Sequence, residues 1–212
     1  MYQVRKIMVI SDSTPSRSRQ IRTHQITIGG LFLALSIVLA TTGWGLIAIP
    51  TPAGAVTTMH LPVICAGVVG GPILGACSGL IFGLFAWQRF PAFDPLVHIL
   101  PRVIIGIISW GAFLLISHML KAAPRRLRLS TAAVSAAAAG TVANTAGVLA
   151  MAVIHGYFTP SAAWTMALVH GVPELILAVI VTPPIISGLV SFIEHRGSER
   201  GFAMQISTVE QA

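Results

Sequence analysis

The sequence predicts an all-α polytopic membrane protein with six transmembrane helices and both termini in the cytoplasm. Composition predicts the class, because 55% of the 212 residues are hydrophobic and only 9% are charged, whereas about 25% are charged in an ordinary globular domain. The distribution of charge supports the same class, since the basic residues concentrate near the two chain ends and in one short loop. Orientation in a lipid bilayer therefore explains the net charge of +7, and we expect no nucleic-acid partner.

Five apolar stretches account for the six predicted spans, each of which needs about 20 apolar residues. We predict the first span at residues 26–48, before the proline- and glycine-broken loop "PTPAGAVTTM" at 50–59. The apolar stretch 60–87 is too long for one span and short for two, and "GGP" at 70–72 interrupts it. We therefore expect two short helices in a tight hairpin there. Further spans are predicted at about 95–120, 130–157 and 162–193.

These spans divide the chain into a cytoplasmic N-terminal tail (1–25), a six-helix membrane domain (26–194) and a cytoplasmic C-terminal tail (195–212). The apolar part of the first tail, "IMVI", is too short for the hydrophobic region of a signal peptide. Cys65 and Cys77 both fall in apolar segments, so we expect no disulfide framework.

The basic residues near the span ends predict the orientation. The side opposite the termini carries a single arginine, Arg89, in its loops. Positive charge marks the cytoplasmic side, so both termini and the loop "KAAPRRLR" are predicted to be cytoplasmic. The residues that a six-span topology places on that side are Arg17, Arg19, Arg22, Lys121, Arg125, Arg126, Arg128, Arg196 and Arg200.

Strongly polar residues lie inside three consecutive spans, at comparable depth. Arg102 lies in the fourth span, Asn144 in the fifth and Glu174 in the sixth, with His98 and His170 nearer the outer ends of theirs. Such groups are costly against lipid, so we expect them to face one another. Two interpretations remain open: Arg102 and Glu174 form a structural ion pair that Asn144 supports, or these five residues bind a polar ligand in a cavity that opens outward.

Other residues are weaker candidates for ligand binding. His60 either lines the site or caps the second predicted span, and Trp44 and Trp87 either cover the cavity or belong to an aromatic belt. No residue is assigned to catalysis or to metal binding, and no cofactor is expected.

Small residues at four-residue spacing predict close helix contacts. Gly75, Gly79 and Gly83 form a ladder that we assign to packing alone. Gly30 and Ala34 repeat the spacing on the first span, where they serve either internal packing or the docking of another membrane protein.

Four segments resemble the substrate-binding S components of energy-coupling factor (ECF) vitamin importers: "TMHLPVICAGVVGGPILGACSGLIFGL", "FDPLVHILPRVIIGI", "TVANTAGVLA" and "HGVPELILAVIVTPPI". The resemblance covers roughly residues 26–192 and favours the pantothenate-binding branch, with folate, hydroxymethylpyrimidine and cobalamin binders nearby. It implies a six-helix protein in a prokaryotic plasma membrane that captures a vitamin from outside. It also implies partners, namely a transmembrane T component, which docks on a small-residue patch matching Gly30 and Ala34, and two cytosolic ATPases.

Two other classes of protein are weighed against this one. A rhomboid-like intramembrane serine protease would use Ser78 in "GACSGL" with His170 or His155 as base, although Ala76 stands where that motif has glycine. A self-sufficient secondary transporter would show repeated halves with interrupted helices. Only Pro183 and Pro184 suggest such an interruption, and no Gly-rich phosphate loop for ATP is present.

Overall fold

The computed structural model describes the backbone of residues 17–48 and 55–209, with side chains over 26–45 and 57–193. Most of the N-terminal tail and the centre of the first predicted loop lie outside the described residues, as do the side chains of the basic residues in both tails. The described elements are α1 (Arg17–Thr42), β1 (Leu46–Ala48), β2 (Ala55–Thr57), α2 (His60–Cys65), a π-helical turn (Ala66–Gly70), α3 (Pro72–Arg89), α4 (Pro95–Met119), α5 (Arg125–Ile154), α6 (Pro160–Met166), a second π-helical turn (Ala167–Gly171) and α7 (Val172–Val209).

The predicted class, a helical protein with apolar helices of membrane-spanning length, is confirmed. Three described helical stretches are long and apolar enough to cross a membrane: Pro95–Met119, Arg125–Ile154 and Pro160–Ile193. Two shorter apolar helical stretches, Ile26–Thr42 and His60–Gly70, accompany them.

The first predicted span is too long at its C-terminal end. Helix α1 ends at Thr42, where Gly43 takes a positive φ of 75° that closes a helix readily only for glycine. Beyond it, β1 pairs antiparallel with β2, and Leu46 stands opposite Thr57. The apolar residues 46–48 therefore belong to a short hairpin, which their β-branched and apolar composition permits as readily as a helix.

The predicted break in the second apolar stretch is confirmed. The π-helical turn Ala66–Gly70 ends at Gly71, whose φ of 95° is left-handed, and Pro72 begins α3. Proline suits the first helical turn because it lacks the N–H that would remain unpaired there. The glycine and the proline together reverse the chain between α2 and α3.

Pro183 and Pro184, which alone suggested an interrupted helix in the sequence, do not interrupt α7, since the helix continues through both prolines. Ala178 and Ile186, on either side of them, are fully buried, so packing against the bundle holds the helix where two backbone hydrogen bonds are lost. The irregular part of this span is instead the π-helical turn Ala167–Gly171.

Helix α4 lies between α3 and α5, and α5 packs in turn against α7. The predicted glycine ladder faces α4: a Cβ added at Gly75 would meet the backbone of Gly106, and one at Gly83 would lie 2.8 Å from the Cα of Ile99. These contacts bring the two helix backbones together. They also fix the position of the polar residues of α4 relative to α3.

Candidate ligand-binding site

A cavity of about 1220 Å³ lies at the end of the bundle where α1, α3 and α5 end and α4 and α6 begin, which we call the cavity end. Its lining contains five of the eight predicted ligand-binding residues: His98, Arg102, Asn144, His170 and Glu174. Side chains from α4, α5, the second π-helical turn and α7 thus converge on one space. The predicted grouping of these five residues agrees with the geometry.

Arg102 is buried, with 8% of its surface exposed, and neutral groups hold its guanidinium. Nη1 donates to the backbone oxygen of His98 at 2.7 Å and lies 3.3 Å from Nδ1 of the same residue. The Cζ atom lies 4.7 Å from the centroid of the Phe82 ring, a cation–π distance. Nε has no hydrogen-bond partner. The guanidinium is therefore held by neutral groups, and its electrostatic interaction with the Glu174 carboxylate involves no direct contact among the described side chains.

Glu174 is buried and contacts a different set of groups. Its Oε1 accepts a hydrogen bond from the backbone N–H of Thr57 at 2.9 Å, and its Oε2 accepts from the Thr145 hydroxyl at 3.4 Å. Among the residues whose side chains are described, no ion pair joins Arg102 to Glu174. Arg102 and Glu174 therefore do not form the direct ion pair that the sequence suggested, although they interact electrostatically and line the same cavity.

Asn144 and His170 bring polar atoms without hydrogen-bond partners to the cavity. Asn144 is 4% exposed and its Oδ1 is unpaired, and neither ring nitrogen of His170 is paired. His170 lies in the second π-helical turn, a local irregularity that recurs at functional sites because it shifts side chains out of the regular helical register. Unpaired buried polar atoms are costly, so their presence in two residues of the cavity wall marks this region as a candidate functional site.

An aromatic cluster forms the rim of the cavity. The Phe93 ring meets Tyr157 edge-on at 4.8 Å and His98 at 5.7 Å, and the Tyr157 hydroxyl accepts from the Asp94 backbone N–H at 3.1 Å. These contacts join the α3–α4 loop to the α5–α6 loop. The aromatic lining residues are Phe82, Phe85, Phe90, Phe93 and Phe158.

Sequence reasoning missed several of these residues. Phe82 reads as an ordinary apolar residue of a span, and Thr57 and Thr145 are too common in such segments to stand out. Only a weak indication in the sequence assigned Phe93 to the site, namely that it directly precedes the Asp94-Pro95 start of α4. Only the convergence of several elements distinguishes these residues from their neighbours.

Three predicted residues do not line the described part of the cavity. His60 begins α2 and is fully buried among core residues, and it is not the alternative helix cap either, because Met59 is the N-cap and no side chain caps α2. Trp44 follows the end of α1 with 82% of its surface exposed, and Trp87 is 39% exposed on α3. Neither tryptophan lines the cavity, since Trp44 lies in the turn after α1 and Trp87 lies on a partly exposed face of α3.

Three further predicted positions concern proteolysis and partner docking. The Ser78 hydroxyl is fully buried and lies 2.9 Å from that of Ser36, so its hydrogen-bond partner is a serine of α1 and no histidine. Gly30 and Ala34 are exposed on α1, and a Cβ at Gly30 would meet nothing within 4 Å. The described residues contain no group of three or more His, Cys, Asp or Glu side chains placed to hold a metal ion.

Apolar helices of membrane-spanning length and an internal cavity with polar lining are typical of a membrane protein that binds a small polar molecule. Residues 24–186 match the family described as "ECF transporter, substrate-specific component", and the chain belongs to this family. The chain is also similar to the "Pantothenic acid transporter PanT" of Lactococcus lactis subsp. cremoris (strain MG1363), with 26% identity over 199 residues that cover 79% of this chain and 94% of the relative. The predicted resemblance to ECF S components is confirmed.

Proposed function

We propose that this protein captures pantothenate, or a closely related carboxylate vitamin, from the outer side of a prokaryotic plasma membrane for ATP-driven uptake. The observation that carries the proposal is Arg102, a buried cation in a large cavity that no carboxylate of the described residues contacts directly. A guanidinium pairs with a carboxylate through two parallel hydrogen bonds. The similarity to a pantothenic acid transporter supports this choice of ligand.

The chemistry of the lining suits the rest of the pantothenate molecule. Its two hydroxyls and its amide match the polar atoms of Glu174, Asn144 and His170, which include both acceptors and donors. Its dimethyl group suits the aromatic rim around Phe93. Folate, hydroxymethylpyrimidine and cobalamin are the competing ligands. Hydroxymethylpyrimidine has no carboxylate for Arg102, whereas folate has two carboxylates and an aromatic ring system.

The proposed topology is six spans with both termini and the α4–α5 loop in the cytoplasm, which places the cavity end outside. The exposed basic residues Lys121, Arg125 and Arg126 in and after that loop support the orientation. A cysteine at Ala123 should then react with an impermeant thiol reagent only after the membrane is permeabilised. Labelling of that position in intact cells would reverse the topology.

The proposed partners are a transmembrane T component and two cytosolic ATPases, and we propose no enzymatic activity for the chain itself. The exposed Gly30 and Ala34 give α1 a surface on which another helix can approach closely. Uptake of labelled pantothenate should require all of these partners, while binding requires none. Peptide hydrolysis that Ser78→Ala abolishes would favour the protease interpretation.

The binding test compares two ligands that differ at one end group, which is charged in one and neutral in the other. Pantothenate should bind the purified protein more tightly than pantothenol, in which a neutral alcohol replaces the carboxylate. Arg102→Gln should lower pantothenate affinity about 10- to 100-fold, the effect of one charge-assisted hydrogen bond or more, and should leave pantothenol affinity nearly unchanged. Calorimetry measures both affinities, and equal binding of the two ligands by the wild-type protein would contradict the proposal.

A further inference from the structure

A buried cation needs a partner that holds it in place and a partner that compensates its charge, and one carboxylate usually does both. Around Arg102 these two roles are separated. A carboxylate in contact would fix the guanidinium, but it would also compensate the charge and compete with an anionic ligand. Here the contacts are a carbonyl oxygen of His98, a ring nitrogen of the same residue and the face of Phe82. All three are attractive to a cation, and none of the three carries a formal negative charge.

The Phe82 ring is the one contact among these that comes from another helix. Phe82 lies on α3, is 2% exposed and also lines the cavity, so its ring stands between the core and the ligand space. The negative face of an aromatic ring attracts a cation, and the attraction is stronger where water is excluded. The ring therefore restrains the guanidinium from α3, whereas the other two contacts come from within α4.

The backbones of α3 and α4 make this contact rigid. Gly79 lies three residues before Phe82 on the same helix face, and a Cβ there would overlap the backbone oxygen of Arg102. A Cβ at Gly83 would lie 3.1 Å from the backbone oxygen of His98, which accepts from the guanidinium. The glycine ladder thus fixes the position of Phe82 relative to His98 and Arg102. The ladder therefore contributes to ligand binding as well as to packing.

We infer that Phe82 is a positioning residue, which holds the Arg102 guanidinium out of direct contact with Glu174, as a receptor for the anionic group of the ligand. Without the ring face, the guanidinium is free to turn toward Glu174, the carboxylate that lines the same cavity. An ion pair formed there would neutralise the receptor. Phe82 would then determine the preference for an anionic ligand over a neutral one without contacting the anionic group. This inference rests on the proposed function of Arg102.

The test uses Phe82→Leu, with Phe85→Leu as the matched control. Phe85 lies on the same helix and lines the same cavity, but no cation–π contact with Arg102 involves it among the described residues. Phe82→Leu should lower pantothenate affinity about tenfold and change pantothenol affinity by less than about twofold. Phe85→Leu should change the affinities of both ligands by the same factor, and Phe82→Trp should retain the preference for pantothenate.

A second measurement keeps the ring's shape, so that it does not depend on how Phe82→Leu folds. Successive fluorination of the ring at position 82, by incorporation of fluorinated phenylalanines, weakens the negative face while it preserves the hydrophobic contact. Pantothenate affinity should fall with each added fluorine and pantothenol affinity should stay constant. Unchanged pantothenate affinity across that series, or an equal loss for both ligands in Phe82→Leu, would overturn the role of Phe82. A wild-type protein that does not distinguish the two ligands would overturn the proposed function, and this role with it.

Discussion

The two halves of α5 differ in what they pack against, and the difference explains where the cavity lies. Toward its start, Ala132, Ala133, Ala136 and Ala137 are fully buried, and a Cβ at Gly140 would overlap the Ser109 hydroxyl of α4. We call this part, residues 132–140, the packed half. Toward its end, the residues that line the cavity are Asn144, Thr145, Val148, Leu149 and Ala152.

Residue size and polarity account for this difference. Alanine and glycine let α4 and α5 approach so closely that no space remains between them. One turn further on, polar and larger side chains meet a neighbouring helix that carries Arg102 and His98, and the facing surfaces no longer interdigitate. The packed half therefore holds the helices in place, so that the cavity end can keep an open polar space.

The largest effect is expected from exchanging the two charges at the cavity end, Arg102→Glu with Glu174→Arg. A carboxylate at 102 would face the His98 backbone oxygen, and a guanidinium at 174 would face the Thr57 N–H. Both contacts become repulsive, so the double variant should be destabilised by roughly 3–5 kcal/mol and should not bind pantothenate. The measurement is thermal unfolding in detergent of the double variant and of both single variants. A double variant that is more stable than either single variant would contradict this prediction.

The next largest effect tests the close approach of helices, with Gly106→Ala on α4. The added Cβ would lie 2.5 Å from the Cα of Gly75, a backbone atom that can move only with the whole of α3. We expect a loss of about 1–3 kcal/mol in the free energy of unfolding. Gly111→Ala on the same helix is the control, because a Cβ there meets nothing within 4 Å and alanine favours the helix. Equal melting temperatures for the two variants would show that α3 and α4 are not in contact at Gly106.

A smaller effect compares two polar residues one turn apart on α5. Asn144→Ala should lower pantothenate affinity about tenfold, the effect of one hydrogen bond to the ligand, with little change in melting temperature. Thr141→Ala should leave affinity unchanged, because the Thr141 hydroxyl donates to the backbone oxygen of Ala137 within its own helix. Titration of both variants by calorimetry provides the comparison. Equal losses of affinity would place the boundary between the two halves elsewhere.

The smallest effect is expected outside both halves, at the two exposed tryptophans. Trp44→Ala and Trp87→Ala should each change pantothenate affinity by less than about twofold and stability by about 0.5 kcal/mol or less. Phe93→Ala is the contrasting variant, since its ring packs against His98 and Tyr157 at the cavity rim, and it should weaken binding more. If either tryptophan variant lost as much pantothenate affinity as Phe93→Ala, that tryptophan would belong to the binding site.

Local rules, which act within about one helical turn, made much of this fold predictable from sequence. Apolar length predicted the long helices, and the glycine and proline at 71 and 72 predicted the break between α2 and α3. Four-residue spacing predicted the glycine face of α3, and the cost of polar groups among apolar residues predicted that Arg102, Asn144 and Glu174 would converge. Each inference needed only the chain's own periodicity and the chemistry of single side chains.

The tertiary structure alone decided which atoms these residues contact. Arg102 and Glu174 were each predicted to need a partner, but the nearest partners are Phe82 and His98 for one and Thr57 and Thr145 for the other. The short hairpin that brings the Thr57 N–H to Glu174 depends on pairing between β1 and β2 and on α7, which is remote in sequence. Such contacts are decided by packing between distant segments, because a buried polar group takes whichever complementary atom the assembled helices bring nearest.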